Sequence, residues 1–410
     1  MLPARFTIVC LLLVTAFLAS AAALNVIVDP YDIFGMPRRA GLNAQKPNAD
    51  SHTGMVKTYQ LERVSPRTVL IGSSKVDIGL DPDHPAWPQS ARPVYNYGLP
   101  GSGILGAFHQ LRRAAEAGQL RTVMIGLELE AFLEPRLAPG NSVMQADGDR
   151  TRQRLIDDIR ATLTLTALFD SIDTVLEQGR PNLGDVNEHG LTSDGPLDRI
   201  ARSDGYYDLF ARKNAEIFGK TERAARALAD TPPRDIAELE YVRAIMGYCR
   251  ERNIRLYFFI HPHHANLLEI IDRTGLWDRF EFWKIGLARL VEEYRLQAGS
   301  PPIALWDFAS YDGYTTEAIP ARGDRSSALK WFWEPLHYKK ALGDIMLSRM
   351  LGESEANFGA ELVSSSIDRH LAGIREARRV YRKANPGEVE RIAEMARKAR
   401  ELRKGPLTLR

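Results

Sequence analysis

Apolar positions along this chain fall into two alternating kinds of stretch: short uninterrupted runs, and longer stretches that repeat with a helical period. The run Val69-Leu70-Ile71 has no polar alternation, as expected of a strand covered on both faces of a parallel sheet. Arg67 to Ile71 therefore reads as a first strand, Pro93 to Tyr97 as a second, and Thr122 to Leu127 as a third. Ile254 to Ile260 reads as a fourth and Pro302 to Phe308 as a fifth. Helical spacing covers Ile104 to Ala117, then Arg150 to Gln178, where Leu155, Ile159, Leu163 and Ala167 share one stripe. It returns over Leu209 to Ala229, Arg234 to Arg252, Trp277 to Gln297 and Tyr338 to Leu351.

Strands alternating with helices predict a parallel sheet with helices on both faces. Right-handed crossovers then select strand order 2-1-3-4-5, a flavodoxin-like α/β fold. Four segments follow along the chain: an apolar N-terminal segment over residues 1–28, an irregular lead-in over 29–65, the α/β domain over 66–352 and a charged tail over 353–410. The lead-in carries Asp29-Pro30, Gly35 and Pro37 and shows little period. The tail reads as two helices hinged at Asn385-Pro386-Gly387, solvated along their length, with a basic face toward anionic lipid as the alternative. The polar, Gly- and Asp-rich segment from Gly179 to Gly205 reads as a surface excursion.

The N-terminal run settles the expected compartment. Phe6 to Val28 contain no charge, and about 20 apolar residues are enough to cross a bilayer as a helix. Arg5 and the amino terminus are expected to stay inside, placing the rest outside the cytoplasmic membrane, in the periplasm of a Gram-negative cell. Ala19-Ser20-Ala21 also fits a cleavage site, so a removed signal peptide is the alternative. Apolar residues continuing from Leu24 to Val28 favour an uncleaved anchor. The 410 residues balance 54 Lys and Arg against 52 Asp and Glu, which gives no case for a nucleic-acid partner. Two cysteines, Cys10 and Cys249, make no disulfide framework, and no zinc-ligand spacing occurs.

Four stretches carry candidate chemistry. Gly72-Ser73-Ser74 follows the first strand and Asn96-Tyr97-Gly98-Leu99-Pro100-Gly101 follows the second. Gly126-Leu127-Glu128 closes the third, and Glu334-Pro335-Leu336-His337 precedes the last helix of the domain. Ligands in open α/β sheets bind outside the carboxyl ends of the strands, where these stretches lie. In this order they resemble the SGNH/GDSL hydrolase superfamily over roughly residues 66 to 350. The likeness is to its extracytoplasmic, membrane-anchored branch, which includes the alginate O-acetylation proteins and the D-alanyl-transfer protein DltD. That resemblance implies Ser74 as nucleophile, with Ser73 at the usual Asp position, His337 as base and Glu334 orienting the imidazole. It implies backbone donors to an oxyanion at Ser74 and Gly101. The family's third donor, an Asn side chain, is replaced by Glu128. A missing donor costs about 100- to 1,000-fold. Either Glu128 pairs with Lys75 and leaves a two-donor hole, or the site only binds.

Of His261-Pro262-His263-His264, His264 is the candidate substrate contact, with rim packing or helix capping and a metal ligand as the other readings of the run, and Asn96 joins the binding set. Trp331 and Trp333 flank the Glu-Pro-Leu-His element and read as core, with sugar stacking as the alternative. Asp77 and Asp81 shape the turn after Ser74. The resemblance implies a cofactor-free transfer of a short acyl group such as acetyl onto or off an envelope or exported polysaccharide. The acyl donor would be handed over by a multi-span membrane acyltransferase. An inactive module that binds polysaccharide or scaffolds an export complex is the rival.

Overall fold

A computed structural model of the chain describes residues 2–133, 150–354 and 357–404. Its elements in chain order are α1 (Leu2–Val28), α2 (Thr53–Val64), β1 (Thr68–Gly72), α3 (Ser74–Gly79), β2 (Val94–Gly98), α4 (Ile104–Glu116) and β3 (Thr122–Leu127). Next come α5 (Arg150–Leu163), α6 (Leu165–Leu176), α7 (Gly195–Asp204), α8 (Tyr206–Ala227), α9 (Leu239–Glu251), β4 (Arg255–Ile260) and α10 (Ala265–Arg273). The chain continues through α11 (Trp277–Arg295), β5 (Ile303–Asp307), α12 (Lys340–Met350), β6 (Ala360–Glu361), α13 (Ile367–Ala384) and α14 (Pro386–Lys404). These elements form two compact units, Met1–Val64 with Pro139–Pro196, and Ser65–Ala138 with Leu197–Arg410.

The larger unit is mixed α/β, a six-stranded sheet in the order β2-β1-β3-β4-β5-β6 flanked by helices. The first five strands are parallel and run in the order their alternation with helices led us to expect. β6 adds an antiparallel edge of two residues beside β5. All five residues of β1 and of β2 are buried, which explains the apolar run Val69 to Ile71, while β2 buries Asn96 among its apolar residues. Leu70, Met124 and Phe259 join Val76, Phe332, Tyr338 and Leu342 in one core, where each large apolar side chain contributes about 1.5–3 kcal/mol.

The tail is not a solvated appendage. Leu371, Ile374, Tyr381, Ile392 and Ala396 are buried, and His370 Nε2 meets Asp307 Oδ2 at 2.7 Å. Arg382 reaches Glu269 at 2.8 Å and Arg400 reaches Glu222 at 2.7 Å. Both helices therefore belong to the α/β unit. Charge runs hid this, because their arginines find carboxylates on α8 and α10 rather than water. Residues 355–356 and 405–410 of that tail lie outside the described residues.

The smaller unit also departs from the expected division of the chain. The lead-in holds helix α2, and α5 and α6 close a small core with it that includes Tyr31, Ala49, Val56, Ala161 and Ala167. The one helix expected over Arg150 to Gln178 is two, because Thr164 caps α6 by accepting from Ala167 N at 3.1 Å. Leu155, Ile159 and Leu163 face outward rather than into a core. α1 is long and apolar enough to cross a membrane.

Candidate active site

Ser74 takes its place from the way β1 ends. The chain leaves the strand at Gly72, turns through Ser73 and begins α3 at Ser74. The turn is tight enough that a Cβ on Gly72 would sit 2.5 Å from Val76 Cγ2, so glycine is required there. The Ser73 carbonyl accepts from Val76 N and Asp77 N, both at 3.1 Å, closing the first turn of α3. The Ser73 hydroxyl is buried without a hydrogen-bond partner among the described residues. Ser74 is half-buried at the carboxyl end of the sheet, and its amide opens a helix, where no intrahelical acceptor exists.

His337 is delivered by a hairpin. Phe332 bridges Tyr338, Trp333 N donates to His337 O at 2.9 Å, and Lys339 N donates to Trp331 O at 2.7 Å. Lys339 clamps the hairpin through Leu329 O at 2.6 Å and lies over the Trp333 ring at 4.0 Å. Glu334 sits in the tip with a nearly inaccessible carboxylate, which accepts Leu336 N and His337 N at 3.1 Å each. The same carboxylate bonds His337 Nδ1. Burial pushes Glu334 up, but the imidazole beside it and these donors bring it below the usual carboxylate range. With Nδ1 committed to Glu334, the other ring nitrogen is free to act as acceptor. That nitrogen, Nε2, lies 2.7 Å from Ser74 Oγ.

Behind the serine, the Lys75 ammonium donates to Glu128. The carboxylate that stands where an oxyanion donor was expected is thus engaged by a buried cation. Burial lowers the Lys75 ammonium, and the negative charges of Glu130 and Glu334 oppose that shift. Sequence reading passed over Glu130, whose two oxygens are buried without hydrogen-bond partners among the described residues. Burial raises its carboxyl, yet Lys75 and then His263 hold it below the ordinary range. Its spacing two residues after Glu128, beside a lysine following the candidate nucleophile, was the available signal. A small cleft of about 10 Å³ opens beside Glu128, lined also by Gly72, Ser102, Gly103, Ile104 and Gly126 but by neither Ser74 nor His337. Gly101 has φ +75°, the left-handed region that the turn between Leu99 and Ser102 needs.

No family model and no curated protein matches this chain.

Asn96, placed in the binding set, does other work, and His264 takes the capping role that was the alternative to substrate contact. Asn96 is fully buried in β2, where its Nδ2 donates to Val76 O at 2.7 Å and Leu80 O at 2.8 Å. Its Oδ1 accepts Gly98 N at 2.9 Å, so Asn96 ties α3 to the sheet. His264 caps α10, its Nδ1 accepting Asn266 N at 3.3 Å while Nε2 donates to Glu317 O at 2.8 Å. Phe210 and Phe332 stand edge-on to its ring at 4.9 and 5.6 Å, and burial pushes its pKa down to about 4. His263 is likewise buried and lowered to about 4, while His261 faces the Tyr338 hydroxyl at 3.2 Å. Rim position was legible for this run, but burial was not. Trp333 is buried in the core and Trp331 packs on Tyr314 at 5.0 Å.

Proposed function

We propose that this chain is a serine acyl-transfer enzyme of the SGNH/GDSL type, held in the cytoplasmic membrane by α1 with the α/β unit on the periplasmic side. The observation that carries the reading is the unbroken series from Ser74 Oγ through the His337 ring to the Glu334 carboxylate. Serine is a weak nucleophile unless a base takes its proton, and here an imidazole nitrogen lies within hydrogen-bond reach.

In the first half-reaction Ser74 Oγ attacks an acyl carbonyl and its proton passes to His337 Nε2. Glu334 stabilises the imidazolium. The tetrahedral oxyanion takes backbone donors from Ser74 and Gly101, and its collapse sends the His337 proton to the departing oxygen. In the second half, His337 removes a proton from a sugar hydroxyl or from water, which attacks the acyl-serine and frees Oγ. An acceptor polysaccharide lies outside the membrane in this reading, and a multi-span acyltransferase supplies the acyl group.

A fluorophosphonate probe tests the reading on the full chain. An adduct at Ser74 is expected, absent in Ser74→Ala and strongly reduced in His337→Ala when both remain folded by circular dichroism. Folded protein that takes no label overturns the enzyme reading and leaves a polysaccharide-binding module, as Ser73 and Glu128 in place of the family's Asp and Asn favour.

A further inference from the structure

Among the described residues, the smaller unit leaves a row of large apolar side chains uncovered on each of two helices. On α5 these are Leu155, Ile159 and Leu163, and on α6 they are Leu165, Phe169, Ile172 and Leu176. Their exposures run from 39% at Ile172 to 68% at Leu176, whereas the opposite side of α6 buries Ala167, Ser171 and Thr174 completely. At about 100° per residue the four on α6 fall within a sector of about 60°, and the three on α5 within about 80°. Such narrow stripes are not the scattered exposed apolar residues that any surface carries.

The position of these helices on α1 identifies what covers them. Residues 4–20 of α1 are bare but for the half-buried Cys10, and cover begins at Ala21 and Ala22. Asn25 is the fixing point. Its Nδ2 donates to Thr162 O at 3.0 Å, and Ser171 Oγ donates to its Oδ1 at 2.8 Å. From Arg5 to Asn25 a helix rises about 30 Å, the thickness of the hydrocarbon core. The junction between α5 and α6 is therefore pinned at the depth where α1 leaves the hydrocarbon. Exposed arginines, Arg152 and Arg160, accompany the apolar row on α5, the composition of a helix lying among anionic headgroups.

We propose that α5 and α6 lie in the interfacial layer of the leaflet where α1 ends, with lipid as the partner of both stripes. This rests on the reading that α1 spans the bilayer. The pair would fix the orientation of the smaller unit on the membrane, which one spanning helix cannot do because it is free to rotate about its axis.

Spin labels on the full chain in vesicles of phosphatidylethanolamine and phosphatidylglycerol test it, by collision with oxygen against a water-soluble nickel chelate. In a Cys10→Ser background, labels at Phe169→Cys and Leu176→Cys are expected to meet oxygen more than nickel, and a label at Asp173→Cys the reverse. Nickel-accessible labels at Phe169 and Leu176 overturn the proposal, as do labels shielded from both, which would mean a protein partner or second copy. A label on native Cys10 separates the two readings. Seen only by oxygen while Phe169 faces water, it leaves the span standing and removes the proposal alone; reached by nickel, it removes both.

Discussion

Ser74 Oγ and His337 Nε2 lie 2.7 Å apart although 263 positions separate them along the chain. β1 and the hairpin before α12 converge because β1 is central in the sheet and α12 packs on α3, the helix that Ser74 opens. Glu334, three residues before His337, completes the series from within the same hairpin.

Glu334→Gln keeps the side chain's size but removes the acceptor charge and can leave the wrong ring nitrogen protonated. The expected outcome is a fall in kcat of about 1,000- to 10,000-fold with KM little changed. Steady-state kinetics with a short-chain ester checks it. A variant within tenfold of the parent would mean that Glu334 only shapes the hairpin.

Glu128→Gln leaves the buried Lys75 ammonium with one carboxylate fewer. Stability should fall by about 1–3 kcal/mol, measured by urea unfolding, and acyl turnover should not rise. A turnover gain of tenfold or more would mean that the Glu128 carboxylate points at the developing oxyanion and opposes it.

His264 is held near pKa 4 by burial, against about 6.5 in an unfolded chain. Between those values the unfolded state binds a proton that the folded state does not, so stability rises with pH through this window and falls on acidification. The full difference is about 3 kcal/mol below pH 4. His264→Asn retains a capping acceptor for α10 without a titrating ring. Between pH 7 and pH 4.5 it should lose about 2–3 kcal/mol less stability than the parent, read from urea midpoints. Equal losses would show that another group governs the acid limb.

By itself the sequence determined the five parallel strands, several of the helices between them, the apolar N-terminal helix and the membership of Ser74, Glu334 and His337 in one candidate set. Those features follow from local periodicity, glycine and proline punctuation, and the order of short motifs. Only the tertiary structure decided which of the histidines and amides at the strand ends are walled in. His264 lies at the strand ends with Ser74 and Asn96 in the strand beside it, but Phe210 and Phe332 enclose the imidazole, and the backbone of and after α3 absorbs the amide's hydrogen bonds. The tertiary structure alone also decided that the charged tail docks through Arg382 and Arg400, and that the row Leu155, Ile159 and Leu163 faces outward. An amphipathic pattern specifies that a helix has two faces. What each face meets depends on neighbours far away in the chain, and those are set only when the whole polypeptide packs.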